Sequence, residues 1–379
     1  MRFIHTSDWH IGRQFHGQSL LEDQRHVLEQ LVAMVAEQGV DAVVIAGDIY
    51  DRSVPPAAAV ALLDQVLERI CVELAVPVVL IPGNHDSAER LRFGASQLKQ
   101  AGLHILGDLN QIAEPVEIKG VRFYGIPYND PELVRATFDC GVKTHDEAHR
   151  WLLAQIDDAG DSLPRVLVSH CFIDGAEESE SERPLSIGGA DRVSYQPFER
   201  FDYVALGHLH SPQYRGAEHI RYSGSLLKYS FSEQHQRKGV TLVEITASGN
   251  GAEVVTSPLA LTPLRDMRVL EGELAMLLEQ GRTDPNAEDY LLVRLTDRHA
   301  LLDPMGKLRE VYPNVLHLEK PGLMAAGEGD SARRDQLKRG ELALFHDFFE
   351  QVAGQPLSDA QEAAFKQTLA RLQRSDEGH

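Results

Sequence analysis

The sequence predicts an α/β protein: a two-sheet sandwich flanked by helices, followed by a small α/β domain and a C-terminal helical hairpin. Two observations predict this fold class. Short runs rich in Val and Ile alternate with longer segments of helical spacing, and additional β-rich runs at residues 121–124 and 240–245 indicate a second sheet. Strand–helix alternation is typical of layered α/β domains. The 379 residues suffice for one large domain and one or two small ones.

Five apolar runs predict buried strands, at residues 3–6, 42–46, 78–81, 166–168 and 203–206. Between them, residues 19–38 and 56–75 have the length and spacing of helices; Leu28, Leu31 and Val35 share one helical face. No apolar run approaches the ~20 residues that span a bilayer, and the N-terminus lacks the pattern of a secretory signal. We therefore expect a cytoplasmic, nucleoid-associated protein without a membrane segment.

A domain boundary is expected near residues 258–263. We predict a large domain over residues 1–262, a small α/β domain over 263–325, a Gly-rich charged linker over 326–340 and a helical hairpin over 341–375. The hairpin is predicted from two apolar stripes at helical spacing, and Ser358 with Gln361 forms a capping box for its second helix.

Charge and cysteine content restrict the function classes. The formal net charge is −20, which argues against tight binding of DNA by the chain alone, because non-specific nucleic-acid binders carry a positive face. Bound divalent cations or a basic partner would offset this charge. The three cysteines are odd in number and far apart, which argues against a disulfide framework and a cysteine zinc site and fits a reducing cytoplasm.

Five short polar motifs stand at or just past the ends of predicted strands. They are Asp8-Trp9-His10, Gly47-Asp48, Gly83-Asn84-His85-Asp86, Ser169-His170 and Gly207-His208-Leu209-His210. Ligands of α/β layers gather at the carboxyl ends of strands, so one rim would receive all five motifs. Carboxylate, carboxamide and imidazole donors without thiolate suit borderline-to-hard cations. Any single motif would be an ordinary turn, but five in register predict a two-metal site.

This donor set indicates hydrolysis of a phosphodiester. Two cations ~3.5–4 Å apart hold the anionic phosphate, lower the pKa of a bound water and neutralise charge in the transition state. Asp48 is the carboxylate suited to bridge them. His85, next to Asn84, is the candidate that serves the leaving oxygen.

The motifs, in this order, resemble the calcineurin-like metallophosphoesterase superfamily. The opening MRFIHTSDWHIG, with AGDIYD at 46–51, GNHDS at 83–87 and ALGHLH at 205–210, is similar in more detail to the SbcD family of bacterial nuclease subunits. The resemblance implies a metallophosphoesterase sandwich over residues 1–262, with residues 263–325 as a capping domain that helps hold or admit DNA.

The resemblance also implies a site assignment, with two manganese ions as cofactors. One ion would be held by Asp8, His10, Asp48 and His210, and the other by Asp48, Asn84, His170 and His208, with His85 as the catalytic histidine. Archaeal and eukaryotic relatives carry a second histidine where this sequence has Asp51. We hypothesise that the acidic side chain hydrogen-bonds His85 and favours its protonated form.

Five arginines follow the motifs and are candidates for contacts to DNA phosphates, which position a duplex without reading its sequence; the alternative for each is an ordinary solvated residue or local salt bridge. They are Arg13, Arg52, Arg90, Arg92 and Arg192. The acidic run at residues 177–182 is interpreted as a solvated loop.

The family resemblance further implies partners and activity. The C-terminal helices would dock on an SMC-like ATPase subunit, SbcC, and the chain would form a homodimer within a heterotetramer that processes DNA ends. The implied activities are 3′-to-5′ exonuclease action on duplex ends and endonuclease action on single strands and hairpins. Two alternatives stay open: a small-molecule phosphodiesterase or protein phosphatase, and a non-catalytic scaffold.

Overall fold

The computed structural model describes all residues except 157–162, 183–190, 249–250, 298, 300, 321–344, 347–348, 350–354 and 377–379. The chain divides into two compact units, Met1–Asp266 and Met267–His379. The domain limits expected at residues 262, 325 and 340 stay predictions, and the linker expected over 326–340 lies outside the described residues.

The first sheet of the large unit has six strands. Across the sheet they run β16 (Gly251–Ala260), β15 (Gly239–Ser248), β1 (Arg2–Thr6), β4 (Ala42–Ala46), β5 (Val78–Ile81) and β6 (Leu103–Ile105). The four strands from β1 to β6 are parallel, whereas β15 and β16 are antiparallel additions at one edge. The predicted strands at residues 3–6, 42–46 and 78–81 are confirmed.

The second sheet also has six strands. Their order is β13 (Gln213–Arg215), β14 (Ala217–Tyr222), β12 (Tyr203–Gly207), β9 (Arg165–His170), β8 (Val121–Ile126) and β7 (Val116–Ile118). The inner four strands are parallel and the two edge strands are antiparallel. Two short pairs lie outside the sheets: β2 (Gln14–Phe15) with β3 (Gln18–Ser19), and β10 (Phe172–Ile173) with β11 (Arg192–Val193).

The two sheets pack face to face, which confirms the predicted sandwich. Alternate residues of both sheets form one buried cluster, in which the ring of Phe3 meets Phe123 and Tyr203 edge-on at centroid distances of 5.5 and 5.7 Å. A strand exposes alternate side chains on opposite faces, so the remaining residues of the inner strands face outward. On the second sheet those residues, such as Leu167 and Val204, join a second buried cluster with the helices that cover it.

Helices flank the sandwich as predicted. They are α1 (Leu21–Gln38), α2 (Ala57–Leu67), α3 (Ala88–Leu91), α4 (Ala95–Leu98), α5 (Pro131–Phe138) and α6 (His145–Gln155). Helix α1 buries one stripe that includes Val27, Leu28 and Leu31, and ends at Gly39 in the left-handed conformation. The helix predicted over residues 56–75 begins as α2 and continues with π-helical geometry over Glu68–Glu73.

The small unit contains a three-stranded parallel sheet. Strands β17 (Met267–Gly272), β18 (Tyr290–Leu295) and β19 (Val315–Glu319) lie in chain order across it, with helices α7 (Leu274–Gly281) and α8 (Pro304–Arg309) in the connections. Leu277, Val293 and Leu308 belong to its own buried cluster. The predicted small α/β domain is therefore present.

The C-terminal segment is described in part. Helix α9 (Asp359–Asp376) begins as predicted after Ser358, whose backbone N–H donates to the Gln361 side chain at 2.9 Å, one half of the capping box. The Phe345 and Phe365 rings stack with centroids 3.8 Å apart. Of the apolar residues expected in the hairpin, Leu342, Phe348 and Val352 lie outside the described residues. None of the described helices combines the length and apolar character needed to cross a membrane.

Candidate metal centre

The polar motifs lie where parallel strands of both sheets end. Asp8, Asp48 and Asn84 come two or three residues after β1, β4 and β5; His170 is the last residue of β9, and His208 directly follows β12. Because the carboxyl ends of these strands meet at one edge of the sandwich, five separate segments deliver their side chains to one place. Asp8, His10, Asp48, His170, His208 and His210 are each no more than 4% exposed.

The backbone at this edge is strained. Asp8, His10, Asp48 and His208 have positive φ angles of 54°, 46°, 51° and 107°, a region that costs non-glycine residues roughly 1–3 kcal/mol each. Hydrogen bonds between the loops hold it: Asp8 N–H donates to the Gly47 carbonyl at 3.0 Å, and His10 N–H to the Asp48 carbonyl at 2.9 Å. Strain that the surroundings enforce is typical of functional sites.

Two glycines allow the loops to come this close. A Cβ atom on Gly207 would lie 1.9 Å from the Ala46 carbonyl oxygen, and one on Gly83 would lie 2.2 Å from Asp48 Oδ1. Both distances are far inside van der Waals contact. Any side chain at these positions would push the Asp48 and His208 loops apart.

The first donor group combines Asp8, His10 and His210. One donor atom from each lies within 4.8 Å of the others, and the two Nε2 atoms of His10 and His210 are 3.1 Å apart. The predicted first metal set also includes Asp48, whose Oδ2 is 3.6 Å from His10 Nε2.

The second donor group centres on Asp48 and Asn84. Asp8, Asp48 and His170 lie within 4.8 Å of one another. Asn84 Oδ1 is 2.9 Å from His170 Nε2 and 3.2 Å from His208 Nδ1. Asp48 Oδ2 is 3.6 Å from both His10 Nε2 and His170 Nε2, so this oxygen stands between the two groups, as a bridging ligand would.

The protonation states of these groups favour the binding of metal cations. Burial lowers the pKa of His10, His170 and His208, which keeps the rings neutral. His170 Nδ1 donates to the Ala46 carbonyl at 2.8 Å, so its Nε2 presents a lone pair. Burial, with the neighbouring Asp48 charge, raises the pKa of Asp8, and a bound cation would offset this cost of placing two carboxylates side by side. Lone pairs and carboxylates that face one another in a buried pocket form a donor set that divalent metals fit.

His85 lies beside both groups. Its backbone N–H donates to Asp48 Oδ1 at 2.8 Å, and its ring packs edge-on against His10 with centroids 4.7 Å apart. The expected contact from residue 51 takes a different form: His85 Nδ1 donates to the backbone carbonyl of Asp51 at 2.7 Å. The Asp51 carboxylate instead lies 3.4 Å from the Arg13 guanidinium and 3.9 Å from His10 Nδ1. His10, Asp51 and His85 thus form a third donor group.

A buried carboxylate behind His210 was missed by sequence reasoning. Glu233 Oε1 lies 3.3 Å from His210 Nδ1, Ser181 Oγ lies 2.6 Å from the same nitrogen, and Lys238 pairs with the other Glu233 oxygen at 2.6 Å. Although burial opposes it, the bonds from His210 and the Lys238 charge lower the pKa of Glu233. Because the carboxylate accepts the proton of His210 Nδ1, the lone pair of His210 Nε2 is left to bind a metal ion. Nothing in the sequence near Glu233 signals this role.

Two further supporting residues were missed. Asp86 accepts bonds from the N–H groups of Ile49, Tyr50 and Gly83 at 2.9–3.0 Å and so ties two loops of the site together; burial raises its pKa to about 7. Its position inside the GNHDS motif was the available signal. Gln24 on α1 donates to the His10 carbonyl at 2.7 Å, and only tertiary contact reveals it.

The acidic run at residues 177–182 is not wholly solvated. The Glu182 carboxylate is half-buried and accepts a bond from the His210 backbone N–H at 2.7 Å. The prediction of a solvated loop is therefore wrong at Glu182, because this carboxylate satisfies a buried N–H group beside the site.

The five candidate arginines have different surroundings. Arg13 and Arg52 both lie near the Asp51 carboxylate, at 3.4 and 3.8 Å, with Arg13 also 4.8 Å from the centroid of the Tyr229 ring. Arg90 is exposed and donates to a backbone carbonyl at 3.3 Å. Arg92 is paired with Asp108 and Arg192 with Asp174. The structure therefore brings Arg13 and Arg52 next to the donor groups and gives Arg92 and Arg192 acidic partners of their own.

Comparison with known proteins agrees with this geometry. The family model of calcineurin-like phosphoesterases matches residues 1–212, and a model described as the type 5 capsule protein repressor C-terminal domain matches residues 263–353. The chain is 34% identical over 372 residues to the SbcD component of the nuclease SbcCD from Staphylococcus epidermidis, covering 98% of each chain.

Two solved structures from Thermus thermophilus are also similar. TT1561 has a TM-score of 0.38 at 16% identity and covers 67% of this chain and 97% of its own. A hypothetical protein has a TM-score of 0.37 at 13% identity and covers 69% of this chain and 100% of its own. The family match spans more than half of the chain and the curated relative nearly all of it. The chain is therefore a hydrolase of the calcineurin-like phosphoesterase family and belongs to its SbcD branch.

Proposed function

We propose that the chain is the metal-dependent nuclease subunit of a DNA end-processing complex. It would act as a 3′-to-5′ exonuclease on duplex ends and as an endonuclease on single strands and hairpins. One observation carries the proposal: buried donors from five segments converge on one pocket beside His85. The Staphylococcus epidermidis relative, similar over 98% of this chain, is named as a nuclease.

The pocket would hold two divalent ions, with manganese as the proposed metal. Asp8, His10, Asp48 and His210 would hold one ion, and Asp48, Asn84, His170 and His208 the other. When bound, the pair supplies Lewis acidity and an activated water for attack on phosphorus. The central position of Asp48 Oδ2, 3.6 Å from a ring nitrogen of each set, supports this division.

His85 would protonate the leaving oxygen. Its Nδ1 is held by the Asp51 carbonyl at 2.7 Å, which leaves Nε2 to serve substrate. In the imidazolium form both nitrogens carry protons, so Nε2–H can donate while Nδ1 keeps its bond. Arg13 and Arg52, beside Asp51, would contact the phosphates next to the cleaved bond, and Arg90, Arg92 and Arg192 more distant ones.

We further propose that the C-terminal helices bind an SMC-like ATPase subunit and that the nuclease units form a homodimer, giving a heterotetramer. The relative's name places it in a two-component complex. The stacked Phe345 and Phe365 rings support packing between the two C-terminal segments. Residues 263–325 would act as the capping domain that helps hold DNA.

The deciding experiment is a nuclease assay on hairpin and linear duplex DNA. It is run with and without the partner ATPase, in manganese, in magnesium and in chelator. We expect cleavage in manganese, none in chelator, and loss of cleavage by Asp8→Ala and His85→Leu in a folded complex. The exposed Glu199→Gln variant serves as the matched control.

Each alternative has a distinct result. Turnover of cyclic nucleotides or phosphopeptides without DNA cleavage would favour the small-molecule phosphodiesterase or phosphatase. DNA processing that survives Asp8→Ala would favour the scaffold. Asp51→Asn keeps the carbonyl contact to His85, so an unchanged pH–rate profile would remove the Asp51 carboxylate from the mechanism.

A further inference from the structure

A second cleft lies at the open edge of the sandwich in the large unit. It measures about 570 Å³, within the range of ligand-binding sites. One wall belongs to the second sheet and carries Tyr214 and Arg221; the other belongs to the first sheet and carries Thr241, Thr256 and Pro258. Ser211, which directly follows the metal-centre residue His210, also lines the cleft.

The strand register explains why Arg221 faces this cleft. Arg221 pairs with Ala205, and Ala205 belongs to the buried cluster between the sheets. Residues paired across strands share a face, so Arg221 points into the space between the sheets, at the edge where the sandwich opens. Tyr214 pairs with Arg221 across β13 and β14, and the guanidinium lies 5.5 Å from the Tyr214 ring centroid.

Two arginines at the cleft each have a buried guanidinium nitrogen without a hydrogen-bond partner in the described part of the chain. Nη1 of Arg221 and Nε of Arg215 are both shielded from solvent without a hydrogen-bond partner among the described residues. The acidic side chain at the rim, Glu177, is 3.9 Å from Arg215, which is too long for a hydrogen bond. A buried donor without an acceptor is destabilising, and more so when it is charged, so the cleft favours a ligand that accepts these bonds.

We propose that this cleft binds a phosphate group of a nucleic-acid strand, with Arg221 and Arg215 as donors and Tyr214 as the adjoining ring. A guanidinium presents planar N–H donors that match phosphate oxygens. The Thr241 and Thr256 hydroxyls of the facing wall add neutral donors. Because the cleft begins one residue after His210, it would hold the strand that passes the metal centre. This inference rests on the proposed function for the identity of the strand, and a free nucleotide would offer the same phosphate.

The test uses the full-length chain in chelator and at low salt, where no DNA is cut. Binding of a labelled single strand is followed by fluorescence anisotropy, and binding of dAMP and of inorganic phosphate by calorimetry. The variants are Arg221→Gln, Arg221→Lys and Arg215→Gln. The control is Arg25→Gln, which removes an exposed arginine of α1 that bonds Gln65.

We expect Arg221→Gln to weaken strand binding about tenfold or more, since a charged hydrogen bond contributes roughly 1.5–3 kcal/mol. The slope of log K against log salt should fall by about 0.7 for the phosphate contact removed. Arg221→Lys should recover only part of the affinity, because it keeps the charge and loses the planar donors. Melting temperatures and manganese affinity should match those of Arg25→Gln.

The outcomes separate this inference from the proposed function. Equal strand, dAMP and phosphate binding by Arg221→Gln and Arg25→Gln would overturn the cleft while leaving nuclease activity standing. Loss of phosphate binding by Arg221→Gln, together with no DNA cleavage by the parent complex in the manganese assay, would support the cleft and reject the nuclease. Loss of dAMP binding with unchanged strand binding would assign the cleft to a free nucleotide. If Arg221→Gln lowers the melting temperature, strand and phosphate binding by the rim variant Arg215→Gln is compared with that by Arg25→Gln instead. Equal binding would overturn the cleft, and weaker binding by Arg215→Gln would support it.

Discussion

A carboxylate that hydrogen-bonds an imidazole decides which ring nitrogen faces the ligand. Glu233 does this for His210 in a fully buried setting, and Lys238 balances its charge at 2.6 Å. Supporting partners of this kind typically change metal affinity 10–100-fold. Glu233 is therefore a positioning residue for the proposed metal centre.

Glu233→Gln should weaken manganese binding by about 10–100-fold, measured by calorimetry on the folded chain. The substitution also removes the carboxylate that balances the buried Lys238 charge, which keeps only neutral acceptors, and loss of one charge of a buried pair costs roughly 3–5 kcal/mol. The double variant Glu233→Gln/Lys238→Met should recover stability and keep the weak metal binding. Glu199→Gln, at an exposed site, is the control; equal manganese affinity in both single variants would refute the role of Glu233.

A buried histidine away from the metal centre makes stability depend on pH. His149 on α6 donates through Nδ1 to the His145 carbonyl at 2.9 Å, and its Nε2 lacks a hydrogen-bond partner among the described residues. Burial lowers the pKa of His149 to about 4. Between pH 6.5 and 4 the unfolded chain binds this proton and the folded chain does not, so folding free energy is lost as the pH falls through that window.

His149→Gln should reduce the acid sensitivity. The loss of unfolding free energy between pH 7 and pH 4.5 should be smaller than in the parent chain by about 2–3 kcal/mol, at about 1.4 kcal/mol per pH unit. Urea denaturation at the two pH values measures it. The exposed His235→Gln should keep the parent's acid sensitivity, and an equal loss in both variants would contradict the assignment to His149.

At the scale of elements, the end of α1 depends on a backbone conformation that favours glycine. Gly39 closes the helix at φ 57° and ψ 47°, and a Cβ atom there would meet nothing within 4 Å. The cost of a side chain would therefore come from the backbone alone, because left-handed geometry disfavours a Cβ by roughly 1–2 kcal/mol.

Gly39→Ala should lower the free energy of unfolding by about 1–2 kcal/mol without changing metal affinity. Gly141→Ala is the matched control, since its Cβ also meets nothing within 4 Å and its φ is not positive. The control should lie within about 0.5 kcal/mol of the parent. Equal unfolding midpoints for the two variants would show that the helix end tolerates alanine.

At the scale of the whole molecule, an exposed apolar surface bears on the proposed homodimer. Val54, Val60 and Phe93 are 60%, 44% and 87% exposed and line one cleft of about 510 Å³ beside α2, α3 and α4. Contiguous exposed apolar surface indicates an interaction site. If the nuclease units form the proposed homodimer, we predict that the second copy of the chain covers this surface.

Phe93→Asp should convert a dimer into a monomer, measured by light scattering and sedimentation at matched concentrations. A charge in the centre of an apolar interface is costly unless it is paired. Leu264→Asp changes another exposed apolar residue, 44% exposed, and should leave the dimer intact. If the Phe93→Asp chain stays dimeric, the dimer interface does not include this surface.

The strands that carry the site, β1, β4, β5, β9 and β12, could be predicted from the sequence, as could their alternation with helices and the motifs at their ends. Those features are local: Gly47, Asp48 and Asn84 stand next to the strands they follow, so their placement needs no knowledge of distant residues. The convergence of Asp8, Asp48 and His170 also follows from strand direction.

The tertiary structure alone decided which ordinary polar residues support the site. Glu233, Lys238 and Gln24 have no local signature, because their roles arise from contacts with residues 14 to 28 positions away. It also decided that residue 51 reaches His85 through its carbonyl, since a backbone group carries no sequence signal. Burial and packing fix such partners, and neither is visible until the chain has folded.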